Sequence, residues 1–284
     1  MKCLTYEDLD IRELSEDDFL TIRKSIPRHG VICIRKQLLS IDEQIRLTKR
    51  LGEAVLLPEG LRFNNTQEQY PELARVSNIL PDGTLLKSHK AAEYWHSDGD
   101  FWQPGRNYLF NLLYSMIVPE QGGETGFADL RMAYDSLDES LKKRIEDLQV
   151  IVSCDDIPDF KDTPPDERQP DAVHPIVHRH IETGQFGLYF GHTFATIRNI
   201  PKEESDEIVR ALVDAIELPE NQYIHHWKKG DLLIWDNTSV MHRGMGGYAD
   251  SPRLLFRTQA FIDPLAQNTR ERSVQASYGI NAIA

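Results

Sequence analysis

The chain has 284 residues, 40% of them hydrophobic and 27% charged, the proportions of an ordinary globular protein long enough to bury most of its apolar surface. Its net charge of −13 argues against nucleic acid, which is recognised through a positive surface, and against an anionic membrane. Three scattered cysteines (Cys3, Cys33 and Cys154) form no CxxC pair, so neither a disulfide framework nor a thiolate zinc site is indicated.

The acidic start, MKCLTYEDLDIRELSEDD, lacks the apolar run of a signal peptide. No stretch approaches the roughly 20 apolar residues of a membrane span. A cytoplasmic location is therefore expected. Ser15-x-x-Asp18 and Ser40-x-x-Glu43 are spaced as helix-capping boxes, and Gly52 suits the stop of the second helix. Between them VICIRK (31–36) is short and β-branched, which predicts a strand. Residues 53–93 hold few periodic signals and several turn formers, so a long irregular region is expected, and long loops inside a compact chain tend to be functional.

From Tyr108 the texture changes. YLFNLLYSMIV, HPIVHRH, FGLYFG, DLLIW and RLLFRTQAFI are rich in β-branched and aromatic residues and bounded by Gly, Pro or Asp, as strands are. Two amphipathic helices interrupt them: Leu137, Leu141, Ile145 and Leu148 share one face, and Ile208, Leu212, Ala215 and Ile216 another. The helices do not alternate regularly with the strands, which disfavours a parallel βαβ sheet. The expectation is one domain over residues 1–284, mainly β with helices (α+β), built as an antiparallel sandwich or jelly roll with flanking helices. DDIPDFKDTPPDERQPD (155–171), with seven acidic residues and four prolines, reads as an exposed acidic Pro-rich loop. It serves either as plain solvated surface or as a lid over a pocket.

YWHSDGDFW (94–102) places His96 and Asp98 two apart, hence on the same face of an extended segment. An isolated HxD is weak evidence among ten histidines. GDLLIWDNTSVMHRGMGGYADSPRLLFRTQAF (230–261) strengthens it, because it reads as a buried strand, a turn, His242, a glycine-rich turn and a strand studded with arginines. Two imidazoles and one carboxylate on one face leave three metal positions open, the arrangement of non-haem Fe(II) oxygenases. Arg253 and Arg257 lie in an apolar strand, where a guanidinium is costly unless paired. Their partners are either structural carboxylates or a bound acid, which the planar fork suits bidentately.

Four pieces then resemble the Fe(II)/2-oxoglutarate-dependent dioxygenases of the taurine dioxygenase (TauD/TfdA) type: WHSD at 95–98, PEQGGETGFADLRMAYDSL at 119–137, WDNTSVMH at 235–242, and the arginines after His242. VHPIVHRHIETGQFGLYF (173–190) is also similar to a segment of that family. The resemblance implies a double-stranded β-helix core and Fe(II), 2-oxoglutarate and O2 as the cofactor set. By that likeness His96, Asp98 and His242 hold the iron and form the catalytic centre. Thr125 hydrogen-bonds 2-oxoglutarate and Arg253 binds its distal carboxylate; Arg257 assists there or meets an anionic substrate. The glycines of GGET suit a close backbone approach to a ligand, or a plain β-turn. Asp236 and Asn237 either orient the triad or simply form a turn. The presence of Asp98 favours hydroxylation over halogenation, since the family's halogenating relatives carry a small residue there.

The implied reaction is hydroxylation, desaturation or cyclisation at an unactivated C–H of a small organic substrate, amino-acid-derived or a natural product, with release of succinate and CO2. A non-catalytic jelly roll that binds a small acid or senses iron and 2-oxoglutarate is the alternative. For the substrate the candidates are Tyr94, Trp102, Asn78 and Tyr189, with Asn64, Asn65 and Ser77 nearby in sequence, although core packing is the first expectation for any single aromatic. Taurine is disfavoured, because the family's taurine users carry a histidine and a tyrosine where this chain reads AVLLPEGLRF. The expected partner is a small molecule, with no nucleic acid and no membrane; a homo-oligomer is compatible with the sequence.

Overall fold

Ser15 opens the first helix by accepting the Asp18 main-chain N–H at 3.1 Å, and Ser40 with Glu43 forms a complete capping box at the second, which stops at Gly52. These local signals behave as their spacing predicts. The structure, a computed structural model, describes residues 1–56, 69–80, 82–86, 92–156, 164 and 170–262. In chain order the first elements are β1 (Leu4–Tyr6), α1 (Glu16–His29), β2 (Val31–Ile34), α2 (Ile41–Leu51), β3 (Glu53–Ala54) and β4 (Ala74–Ser77). Then follow β5 (Leu109–Ile117), β6 (Thr125–Asp129), α3 (Leu130–Ser136), α4 (Glu139–Ile145), β7 (Gln149–Val152), β8 (Ala172–Pro175), β9 (Val177–Arg179) and β10 (Phe186–Leu188). The last are β11 (Thr196–Ile197), α5 (Lys202–Ile216), β12 (Gln222–His225), β13 (Leu232–Asp236), β14 (Val240–Gly244) and β15 (Leu254–Phe261).

A large sheet runs β1-β2-β13-β5-β15-β3, with β4 also beside β15. Only the β1–β2 pair is parallel among the described strands. Period-2 alternation gives this sheet two different faces. Ile32, Ile34, Phe110, Leu112 and Ile234 pack on Phe19, Ile22 and Ile26 of α1 and Leu47 and Leu51 of α2. On the other face Val31, Leu113, Leu233, Trp235 and Leu255 meet Phe127 and Val240 of a smaller antiparallel sheet, β12-β6-β14. Ala128 and Met241, on the outer face of that small sheet, join a core with Ala133, Ile145, Ile208 and Leu212. This is the expected sandwich of antiparallel sheets with helices outside it, a jelly-roll core of the α+β class. Among the described residues no helix is long and apolar enough to cross a membrane.

Two local expectations are corrected. Leu137, Leu141, Ile145 and Leu148 do not share one helix, because the Asp138 carboxylate accepts the Leu141 N–H at 2.8 Å and starts a new helix one residue after Leu137. All four still face the same core. HPIVHRH is two strands, because Ile176 turns its N–H to Leu148 O (3.0 Å); β8 pairs with β7 and β9 with β10. The small sheet was not legible as strands: TGFAD and VMHRG are short and carry glycine and charge, and they form strands because they pair with each other. Of the long region before the HxD, β3 and β4 are ordered strands, whereas Asn64 and Asn65 lie outside the described residues. So do residues 157–163 and 165–169 of the acidic loop.

Candidate active site

His96 and β14 are joined by a two-way main-chain bridge: His96 N–H donates to His242 O at 3.0 Å, and His242 N–H donates to His96 O at 2.9 Å. This brings the two imidazoles to 4.2 Å between ring centroids. His96 sits in a β-bridge and the chain turns at Asp98, and the two side chains still meet. His96 Nε2 is 3.9 Å from Asp98 Oδ1, and His242 Nε2 is 3.6 Å from Asp98 Oδ2. One potential ligand atom from each residue lies within 4.8 Å of the other two.

The donor set fits a divalent cation. Asp98 Oδ2 is buried without a hydrogen-bond partner beside both rings. His96 Nδ1 lies 2.9 Å from Tyr94 O, a carbonyl that can only accept, so Nδ1 is a donor and Nε2 is the nitrogen on the side of the Asp98 carboxylate. Burial, then the neighbouring His96, holds His242 down at about 3, so it is a neutral imidazole near pH 7. Burial opposes the charge on Asp98, but Arg257, His242 and His96 together outweigh it and keep its pKa below the ordinary carboxylate value. Arg257 is the direct partner, with Nη1 donating to Asp98 Oδ1 at 2.8 Å. Burial and the Asp98 charge push Asp100 up to about 8, so Asp100 adds little competing charge near pH 7. A neutral imidazole at His242 and an ionised carboxylate at Asp98 are the protonation states that metal ligation requires.

Thr125 and Arg253 supply the features of an acid-binding site. Thr125 lies opposite Gly244, two residues along β6 from Phe127, which lies opposite His242; its side chain therefore shares the inward face with His242. Trp227 donates its indole N–H to Thr125 Oγ1 at 3.0 Å, so one lone pair is occupied and the hydroxyl proton is available to a carboxylate. Arg253 is only 6% exposed, its Nε has no partner, and among the described residues it makes no ion pair with a carboxylate. Desolvation accordingly lowers its pKa, opposed first by Tyr248, whose ring lies 5.2 Å away, and then by the Glu124 charge. A buried guanidinium in that condition calls for an anion. Gly123, at φ 75°, leaves room for it: a Cβ there would stand 3.1 Å from Arg253 Cδ.

The substrate candidates separate. Tyr94 stands beside the centre, its ring 5.3 Å from that of His96 and 5.2 Å from Phe194, which is 45% exposed and was not singled out from sequence. Trp102 instead packs on Phe261 and Leu109 under Gly99. Tyr189 is 2% exposed and wedged between His174 and His178. The Asn78 side chain brackets the approach to β15, accepting from Arg253 N–H and donating to Ser251 O, both at 2.9 Å. Ser77 Oγ accepts the Ile79 N–H. Asp236 and Asn237 prove to be both a turn and a support: Asp236 ties down the turn, and Asn237 bonds the main chain of Asp98.

The sequence profile described as taurine catabolism dioxygenase TauD, TfdA family matches residues 3–259. The chain is 31% identical over 255 residues to the alpha-ketoglutarate-dependent 2,4-dichlorophenoxyacetate dioxygenase of Cupriavidus pinatubonensis, covering 84% of this chain and 87% of that one. It is 27% identical over 278 residues to the (S)-phenoxypropionate/alpha-ketoglutarate-dioxygenase of Sphingobium herbicidovorans, covering 90% and 91%. Among solved structures, that of AAD-2 in complex with Mn(II) and N-oxalylglycine superposes with a TM-score of 0.77 at 26% identity, covering 91% of this chain and 93% of that one. The chain belongs to the TauD, TfdA family and is a dioxygenase that uses Fe(II), 2-oxoglutarate and O2.

Proposed function

We propose that His96, Asp98 and His242 hold the Fe(II), that Thr125 and Arg253 bind the far carboxylate of 2-oxoglutarate, and that the enzyme hydroxylates a C–H bond of a small organic anion. The observation that carries this reading is the convergence of the three ligand atoms within 4.8 Å of one another, with, in the same fold, a buried Arg253 that makes no ion pair among the described residues. When bound, iron with 2-oxoglutarate and O2 supplies the oxidising power for the C–H bond and releases succinate and CO2. The chain's own residues do the rest. Arg257 keeps Asp98 ionised, Trp227 aims the Thr125 proton, and Tyr94 and Phe194 give the mouth an apolar wall. The Arg257 side chain retains partial exposure, which suits it to the acidic group of a substrate. The relatives' named compounds, 2,4-dichlorophenoxyacetate and (S)-phenoxypropionate, are organic acids, in keeping with that choice. An amino-acid-derived or natural-product acid falls within the same class.

Anaerobic addition of Fe(II) and 2-oxoglutarate is expected to give the weak visible charge-transfer band of the chelate, and His242→Ala is expected to lose it. A band of undiminished intensity in that variant overturns the ligand assignment. Arg253→Leu is expected to raise the 2-oxoglutarate concentration for half-maximal turnover by at least about tenfold, a loss of about 1.4 kcal/mol or more, with little change in the Fe(II) requirement. If Arg257→Leu has that effect instead, the two arginines exchange roles. A panel of small acids scored by succinate release tests the substrate class, and turnover confined to uncharged compounds counts against it.

A further inference from the structure

Three buried amides lie in a row that ends on Asp98. Gln259 of β15 donates from Nε2 to Asn111 Oδ1 at 2.7 Å; Asn111 of β5 donates from Nδ2 to Asn237 Oδ1 at 3.0 Å. Asn237, in the turn between β13 and β14, then closes on both main-chain groups of Asp98. Its Oδ1 accepts the Asp98 N–H at 3.0 Å, and its Nδ2 donates to the Asp98 carbonyl at 2.6 Å. All three side chains are buried.

The direction of the row is determined chemically. A main-chain N–H can only donate and a carbonyl can only accept, so Asp98 settles which end of the Asn237 amide is oxygen. That choice leaves Asn237 Oδ1 facing Asn111, which must present its NH2 and turn its oxygen to Gln259. No amide can flip without breaking the bonds of the next one. Nothing in packing alone asks for this. Gln259 and Asn111 are register partners in a sheet whose neighbouring inward positions, Leu113 and Leu255, are apolar. Arg257, two residues from Gln259 and on the same face of β15, reaches the Asp98 carboxylate directly. One strand therefore grips Asp98 twice, at the carboxylate through Arg257 and at the peptide through the amides.

We propose that Gln259, Asn111 and Asn237 are positioning residues that set Asp98 against His96 and His242, so that metal affinity depends on amides remote from the metal. This rests on Asp98 being a metal ligand, and the test separates the two ideas. Mn(II) is titrated into the full-length protein without 2-oxoglutarate or O2, and free Mn(II) is followed by its EPR signal. Asn237→Leu, Asn111→Leu and Gln259→Met keep the side-chain volumes and remove the amides. Gln44→Leu is the control, because Gln44 bonds Phe256 O and Thr258 Oγ1 on the opposite face of β15 and does not lead to Asp98.

The Kd for Mn(II) is expected to rise about tenfold in Asn237→Leu, the scale of outer-shell metal supports, and measurably in the other two. The double variant Asn111→Leu/Gln259→Met is expected to be no weaker than Asn111→Leu alone, as for links of one chain. Gln44→Leu is expected to lose thermal stability with its Kd unchanged. If the relay variants lose stability but keep the wild-type Kd while His242→Ala loses Mn(II), the ligand set stands and the relay is wrong. If His242→Ala binds Mn(II) as the wild type does, the ligand assignment is wrong and the relay falls with it. Should Asn237→Leu not fold, Gln259→Met, three hydrogen bonds from Asp98, decides the matter.

Discussion

His96→Ala is expected to reduce 2-oxoglutarate turnover to background while leaving the protein folded, with a stability change of less than about 1 kcal/mol. The two halves of that result have separate causes. His96 contributes no apolar area to any of the buried clusters, and its side-chain hydrogen bond is to its near neighbour Tyr94. Its main-chain bridge to His242 survives truncation at Cβ. What disappears is one of the donor atoms grouped around the Asp98 carboxylate. A carboxylate with one neutral imidazole is a poor site for a divalent ion, so iron and chelated 2-oxoglutarate are lost together. Succinate release and a thermal melt, measured on the same preparation, check both halves. Succinate at the wild-type rate removes His96 from the centre. Lost turnover with a collapsed melt would show that His96 holds the fold.

Asp236→Ala is expected to have the opposite profile, a loss of about 3–5 kcal/mol in unfolding free energy, the scale for taking one partner out of a buried charged network. Asp236 accepts His180 Nε2–H at 2.6 Å, the Thr238 N–H at 3.0 Å, the Thr238 hydroxyl at 2.7 Å and the Ser239 hydroxyl at 3.1 Å. His180 Nδ1 meanwhile accepts the main-chain N–H groups of Glu182 and Thr183, both at 3.1 Å, which makes Nε2 its protonated nitrogen. Removing the carboxylate strands several buried donors at once. Against a typical total of about 5–15 kcal/mol, that brings the fold to the margin. Burial opposes the Asp236 charge, but His180 and then Thr238 outweigh it and hold the pKa below the ordinary carboxylate range. A depressed folded pKa contributes stability above the unfolded value of about 3.9, and the contribution is lost as the pH falls towards the folded value. Wild-type unfolding free energy should therefore drop below about pH 4 more steeply than that of Asp236→Asn. Denaturant unfolding at neutral and acid pH measures both effects, and a neutral-pH loss under about 1 kcal/mol for Asp236→Ala would contradict this account.

Much of the site was legible along the chain because its signals are local. His96 and Asp98 meet across a spacing of two, Ser40 and Glu43 cap a helix through a spacing of three, and a histidine after DLLIW continues into the paired strand that faces the HxD. The resemblance carried Thr125 and the two arginines. The helix expected over Leu137–Leu148 failed for a local reason too, since a capping aspartate outweighs continued apolar periodicity.

The rest was settled by register between distant segments, which no short pattern encodes. Trp227 and Thr125 are 102 positions apart, Asn237 and Asp98 139, and Gln259 and Asn111 148. Each pair meets only because particular strands align at particular residues. The same holds for the aromatics: Tyr94 reaches the centre while Trp102 and Tyr189 are packed away, although all three looked alike in sequence. Short spacing puts His96 and Asp98 together, and residue types with the family resemblance add the distant His242 and with it the proposed metal centre. The tertiary structure alone decided which buried polar groups support it, because satisfying them depends on partners that only the folded sheets bring within hydrogen-bond reach.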